Sequence, residues 1–182
     1  MKTPAELAKA ACAVSKVKGN LSVRQMMLMG ILAGITGDFI LDGDESLRRR
    51  PMERVASPLR SMGAQVTCEA GRCPVRITGG ALNSFEYELP VASAQLKSAV
   101  LFAGIQAEGS TRVIEPVPSR DHTERLLALL GAKIATEQNS IVVQRSTLSL
   151  PEFFRVPGDA SSAAFFVCVA NILPGSDVTA EG

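Results

Sequence analysis

Leu59-Arg60-Ser61-Met62-Gly63-Ala64-Gln65-Val66 returns as Leu127-Ala128-Leu129-Leu130-Gly131-Ala132-Lys133-Ile134, with the second glycine 68 positions after the first. Each stretch is a helix-forming run stopped by Gly-Ala and followed by a β-branched residue, as when a helix closed by a left-handed glycine passes into a strand. Two further pairs share the spacing. Gly30-Ile31-Leu32-Ala33-Gly34 and Val100-Leu101-Phe102-Ala103-Gly104 each end an apolar helix, 70 positions apart. Val167-Cys168-Val169-Ala170-Asn171 followed by Pro174-Gly175-Ser176 resembles a third copy of that end, and Gly175 lies 66 positions after Gly109. Agreement among three offsets is the mark of a repeated supersecondary unit.

Within the unit the local signals are ordinary. Residues 51–62 predict an amphipathic helix with Val55, Leu59 and Met62 inward and Arg54 and Arg60 outward. Residues 65–67, 75–78 and 141–144 predict strands, the first two joined by a turn at Glu69-Ala70-Gly71. Residues 93–103 are apolar almost without a break, which predicts a buried helix. The fold class is therefore α/β (α+β), built of βαβαββ units packed with sheets outward and helices inward. A generic α+β domain is the alternative if the repetition is not structural. Residues 151–158 hold two prolines and a glycine and predict a boundary before a helix opening at Asp159-Ala160-Ser161-Ser162. Residues 1–18 have helical composition but no counterpart in the repeat, so they predict a separate helix or a disordered leader. The organisation expected is thus a leader (1–18), two units of one domain (19–156) and the start of an opposite domain (157–182).

Composition removes several classes of function. A formal net charge of +1 gives the chain as a whole no electrostatic footprint for nucleic acid or an anionic membrane. No tryptophan and a single tyrosine argue against base stacking. No apolar run approaches the roughly 18 residues of a membrane span, and Glu6, Lys9 and Lys16 interrupt the N-terminal stretch. A soluble, cytoplasmic protein is expected. Cys12, Cys68, Cys73 and Cys168 read as reduced thiols, since Cys68 and Cys73 lack the second ligand pair of a zinc site. His122 is the single histidine, which excludes any site needing two from this chain.

Any anion site must then be local, and three junctions offer one. In Arg48-Arg49-Arg50-Pro51-Met52 the proline disfavours helix for Arg50, placing it on turn or extended backbone where a helix begins. A guanidinium there suits a phosphate or carboxylate, although three arginines also read as a solvated face. Ser93-Ala94-Gln95-Leu96-Lys97-Ser98 follows the strand predicted over 85–89, and Ser119-Arg120-Asp121-His122-Thr123-Glu124 repeats the theme one element later. Helix capping explains either serine alone, but not Gln95, Lys97 or Arg120. Because Arg50, Ser93 to Gln95 and Ser119 to Arg120 occupy equivalent junctions of a repeat, they are expected to converge on one face.

These residues resemble those of the 5-enolpyruvylshikimate-3-phosphate synthases, also called 3-phosphoshikimate 1-carboxyvinyltransferases. Gly43-Asp44-Glu45-Ser46-Leu47-Arg48-Arg49-Arg50-Pro51-Met52 is similar to that family's arginine-proline motif, and Val91-Ala92-Ser93-Ala94-Gln95-Leu96-Lys97-Ser98-Ala99 to its shikimate-phosphate segment. Pro118-Ser119-Arg120-Asp121-His122-Thr123-Glu124 is similar to the next segment, and Pro157-Gly158-Asp159-Ala160-Ser161-Ser162-Ala163 to the crossing into the other domain. The related enolpyruvyl transferase acting on UDP-N-acetylglucosamine shares the arginine-proline step but is not expected to carry the Ala92-Ser93-Ala94-Gln95 segment. The resemblance implies an inverse α/β architecture of two halves closing on substrates, and no metal or organic cofactor. It implies addition of the 5-hydroxyl of shikimate-3-phosphate to the enolpyruvyl carbon of phosphoenolpyruvate, through a tetrahedral intermediate that loses phosphate, in aromatic amino-acid biosynthesis. Carried over, Arg50 and Gln95 hold phosphoenolpyruvate, while Ser93, Gln95, Ser119 and Arg120 hold shikimate-3-phosphate.

Two departures limit what is implied. Gly19-Asn20-Leu21-Ser22-Val23-Arg24-Gln25-Met26 aligns with the family's glycine-rich loop but places Ser22, Val23 and Met26 where glycine, threonine and arginine belong. A side chain in place of that glycine crowds the approach of backbone to ligand. The opposite half's acid, lysine and arginine set is also absent, and Glu45, Glu124 and Asp159 have no precedent as its acids, so no catalytic residue is identified. The chain is expected to be a fragment. It would either turn over only with a complementary part, drawn in by helices left unpaired at 26–32 and 165–172, or be a non-catalytic anion-binding module, or an inactive relic.

Overall fold

Gly63 and Gly131 both lie just past a helix with φ of +104° and +82°, a left-handed backbone open to glycine and strained for other residues. The computed structural model in which they do so describes residues 24–153, 155–156 and 158–181. The first series of elements is α1 (Arg24–Ala33), β1 (Gly37–Leu41), a short α2 (Glu45–Arg48), α3 (Glu53–Ser61), β2 (Gln65–Glu69) and β3 (Arg72–Gly79). The second is β4 (Glu86–Glu88), α4 (Ala94–Gly104), β5 (Ser110–Ile114), α5 (His122–Leu129), β6 (Ile134–Glu137) and β7 (Ser140–Gln144). The second is a full βαβαββ unit, and the first matches it from its first helix onward with α2 inserted.

Strand pairing repeats as well. β1 and β2 flank β3, all antiparallel, and β5 and β6 flank β7 in the same way, with β4 added parallel to β5. Ile77 of β3 sits between Phe39 and Val66, and Ile141 of β7 between Val113 and Thr136. A register shift at Cys68/Glu69 precedes the tight turn, where Ala70 and Gly71 both take positive φ. Cys73, Val75 and Ile77 are buried while Arg76 and Thr78 are exposed, so each sheet keeps one wet face and one dry. Across the wet face Thr78 Oγ1 donates to Asp38 Oδ1 at 2.6 Å.

The dry faces cover the helices. The predicted inward residues Val55, Leu59 and Met62 are all at 0% exposure, and each such side chain contributes roughly 1.5–3 kcal/mol by leaving water. α4 is buried almost all round, which is why its sequence lacks a polar stripe. The expectation that 26–32 would be an unpaired helix is overturned: Met26, Met29 and Leu32 of α1 are at most 1% exposed. Its partner is α4, in the second series, and the two run so close that a Cβ on Gly30 would fall 2.0 Å from the Ala99 carbonyl oxygen.

Cys73 lies on the buried face of β3, and burial pushes its thiol up to about 11. An acid whose pKa is raised on folding favours the folded state while the thiol is neutral, and this contribution is lost as pH rises from about 9 to about 11. At pH 8 iodoacetamide is therefore expected to modify exposed Cys168 at least tenfold faster than Cys73, read by peptide mass spectrometry.

The chain divides into two compact units, one ending at Leu150 and one beginning at Pro151. The second carries α6 (Ala160–Ile172), where Ser162 Oγ donates to Asp159 Oδ2 at 2.8 Å. α6 is mainly apolar, and Phe165, Phe166 and Ile172 are 77%, 69% and 76% exposed. The leader at 1–18 and positions 19–23 of the altered loop lie outside the described residues. Of that loop Met26 is described, and Arg54 Nη2 lies 3.4 Å from its sulfur.

Candidate functional site

Three consecutive arginines end in three different electrostatic settings. Arg48 Nε donates to Asp42 Oδ1 at 2.9 Å, and its Nη2 ion-pairs with the other oxygen. Arg49 pairs with Glu45 at 3.2 Å, one helical turn back. Arg50 lies at the bend between α2 and α3, exposed, with its N–H bonded to the Leu47 carbonyl at 2.9 Å. Among the described residues its guanidinium has no hydrogen bond or ion pair. Local acids thus neutralise two charges and leave one at the predicted helix start.

Ser93 is the N-cap of α4, on extended backbone, and its Oγ accepts from the Leu96 N–H at 3.3 Å. Capping therefore accounts for one of the serine's lone pairs and leaves its proton to donate. Gln95, in the first turn, is half-buried, and its side chain makes no hydrogen bond among the described residues. The capping reading of Ser119 fails. Asp121 occupies the N-cap position of α5, and Ser119 instead donates to Glu115 Oε1 at 2.6 Å. Arg120, next to it, is exposed and without a side-chain partner among the described residues.

Beneath these residues lies a buried charge cluster that sequence reasoning missed. Lys97 of α4 is 0% exposed, and its Nζ meets Glu115 Oε2 at 2.9 Å and Glu124 Oε1 at 2.6 Å. Burial alone would push this ammonium down, but hydrogen bonds and charge from Glu115 and Glu124 outweigh it and hold the pKa above its ordinary value. Beside it Ser98 Oγ and Thr123 Oγ1 share a hydrogen bond of 2.6 Å. One lysine inside an otherwise apolar run was the available signal, because a helix buried on all sides can hold a charge only against partners.

The cluster joins the Ser93–Gln95 segment to the Ser119–Arg120 segment; among the described residues no hydrogen bond or ion pair joins Arg50 to either. A cleft of about 490 Å³ beside the α5 start includes Ser119, but Glu115, Asp121 and Glu124 also line it, with Arg125 already paired to Asp121 at 2.7 Å. Such a lining repels a dianion. The free donors and cations sit instead at the junctions of Arg50 and Arg120, which are exposed, and of Ser93 and Gln95, which are half-buried, and an anion is better served there.

A family model described as EPSP synthase (3-phosphoshikimate 1-carboxyvinyltransferase) matches residues 6–182. A 3-phosphoshikimate 1-carboxyvinyltransferase of Methylococcus capsulatus is 51% identical over 162 residues, covering 88% of this chain and 37% of the relative. One from Bacillus licheniformis is 47% identical over 163 residues, covering 88% and 38%. Among solved structures, an EPSP synthase from Acinetobacter baumannii superposes with a TM-score of 0.74 at 48% identity, over 85% of this chain and 35% of that one. The chain spans a little over a third of the length of the relatives it matches.

Proposed function

From the premise that the chain belongs to the EPSP synthase (3-phosphoshikimate 1-carboxyvinyltransferase) family, we propose that it forms one substrate-binding side of such an enzyme. Arg50 and Gln95 hold phosphoenolpyruvate; Ser93, Gln95, Ser119 and Arg120 hold shikimate-3-phosphate. The observation that carries this is the selective pairing of the arginine run, in which Asp42 and Glu45 take Arg48 and Arg49 and leave Arg50 open. Guanidinium offers a bidentate fork to an anion, and the Gln95 amide orients a ligand without adding charge.

In the assembled enzyme the 5-hydroxyl of shikimate-3-phosphate adds to the enolpyruvyl carbon, and phosphate leaves the tetrahedral intermediate. Here Glu124 is committed to Lys97, so proton transfer falls to residues outside this chain. Turnover then needs a complementary part, which the exposed aromatic residues of α6 help to recruit. Residues 19–156 act as two units of one domain, 157–182 as the start of the other. Cytoplasmic location belongs to the same proposal: among the described residues no helix is long and apolar enough to cross a membrane, and Cys68, Cys73 and Cys168 are free thiols.

Titration of the 182-residue chain with each substrate, followed by NMR, tests the binding. Arg50→Ala is expected to weaken phosphoenolpyruvate about tenfold or more, the effect of losing a charge-assisted contact, and to leave shikimate-3-phosphate within about twofold. Equal weakening of both ligands, or of neither, contradicts the assignment. Phosphate release on mixing with the remainder of a relative tests turnover; release by the chain alone at a complete enzyme's rate would overturn the need for a partner. A non-catalytic anion-binding module is the second reading, favoured by Glu124's commitment to Lys97, and binding without turnover after mixing selects it.

A further inference from the structure

We propose that Lys97 and Glu115 are positioning residues that make the two shikimate-3-phosphate segments act as one, a proposal that rests on the binding assignment above. The backbone N–H of Lys97 donates to the Ser93 carbonyl at 3.0 Å, so the ammonium and the capping serine belong to the same helical turn. The ammonium reaches Glu115 Oε2 at 2.9 Å, and Glu115 Oε1 receives the Ser119 hydroxyl at 2.6 Å. One carboxylate thus spans the two segments, each oxygen engaged by one of them.

Ser119 has one proton, and Glu115 holds it. In this arrangement the hydroxyl can only accept from a ligand, and the group on shikimate-3-phosphate that can donate to it is an alcohol, not a fully ionised phosphate. The carboxylate therefore sets which part of the ligand Ser119 faces, and the ammonium fixes the carboxylate. Stability is a weak reason for the arrangement. A buried lysine between two acids is usually no better than apolar residues of the same shape, and the second oxygen of Glu124 is buried without a partner. A geometric role explains why charge is kept here.

The test is a binding cycle on the full chain with shikimate-3-phosphate as the probe, read by NMR titration. Ser119→Ala alone is expected to weaken binding about tenfold, the loss of one good hydrogen bond. In a background where the cluster is neutral throughout (Lys97→Met with Glu115→Gln and Glu124→Gln), the same substitution is expected to cost less than about twofold, because Ser119 is no longer oriented. Glu115→Gln by itself, which keeps the Lys97–Glu124 pair and hence the fold, is expected to remove most of the Ser119 effect too. A merely structural cluster would lower stability but leave the tenfold factor intact in both backgrounds, and that result overturns the proposal alone. Absence of shikimate-3-phosphate binding by the unmodified chain overturns the binding assignment, and this proposal with it.

Discussion

Gly30→Ala is expected to lower the unfolding free energy by about 3 kcal/mol and the melting temperature by roughly 10 °C. The added methyl would sit 2.0 Å from the Ala99 carbonyl oxygen and 2.7 Å from its carbon, both rigid backbone of α4. Alanine itself favours a helix over glycine by about 1 kcal/mol, so the clash must exceed that gain, and only separation of α1 from α4 relieves it. Gly131→Ala is the control. No heavy atom lies within 4 Å of a Cβ there, so only the left-handed φ of +82° is at issue, a cost of about 1–2 kcal/mol. Thermal unfolding followed by circular dichroism separates the two, and a Gly30→Ala protein as stable as the original would mean the helices do not pack this closely.

Lys97→Met is expected to destabilise by about 4 kcal/mol at neutral pH, the range seen when one partner of a buried ion pair is removed. Methionine fills the space, so the loss is electrostatic: Glu115 and Glu124, 6% and 8% exposed, face each other without a cation. Removing the two acids' charges as well is expected to restore most of the loss, because Lys97→Met with Glu115→Gln and Glu124→Gln leaves no ion buried without a partner. Urea unfolding of the single and the triple variant checks this. A triple variant no more stable than Lys97→Met would point to poor packing, not buried charge.

Much of the fold can be read in the chain because its signals are local. The Gly63 and Gly131 caps, the alternation of Val75, Arg76, Ile77 and Thr78, and the unbroken apolar run of α4 each fit within one element. What escaped reading depends on residues far apart. The helix at 26–32 looks unpaired until α4 is set against it, and nothing near Met29 announces that partner. Lys97 is a residue that capping does not explain until Glu115, 18 positions on and just past β5, is seen against it. Ser119 passes for a cap because serine before a helix so often is one, yet an acid four residues earlier claims its proton. The arginine run is intermediate: Glu45 lies one helical turn from Arg49, whereas Asp42 reaches Arg48 only through the turn before α2.

The crossing of α1 with α4 also sets a clock. α4 begins about 70 residues after α1, and a ribosome adds about 5–20 residues each second. For roughly 4–14 seconds of synthesis, then, the face of α1 that packs on α4 exists without its partner, and the first repeat cannot finish folding as it emerges. Neither copy of the motif is an independent folding unit, and during that interval the nascent chain has to be kept from sticking to its neighbours on the same messenger.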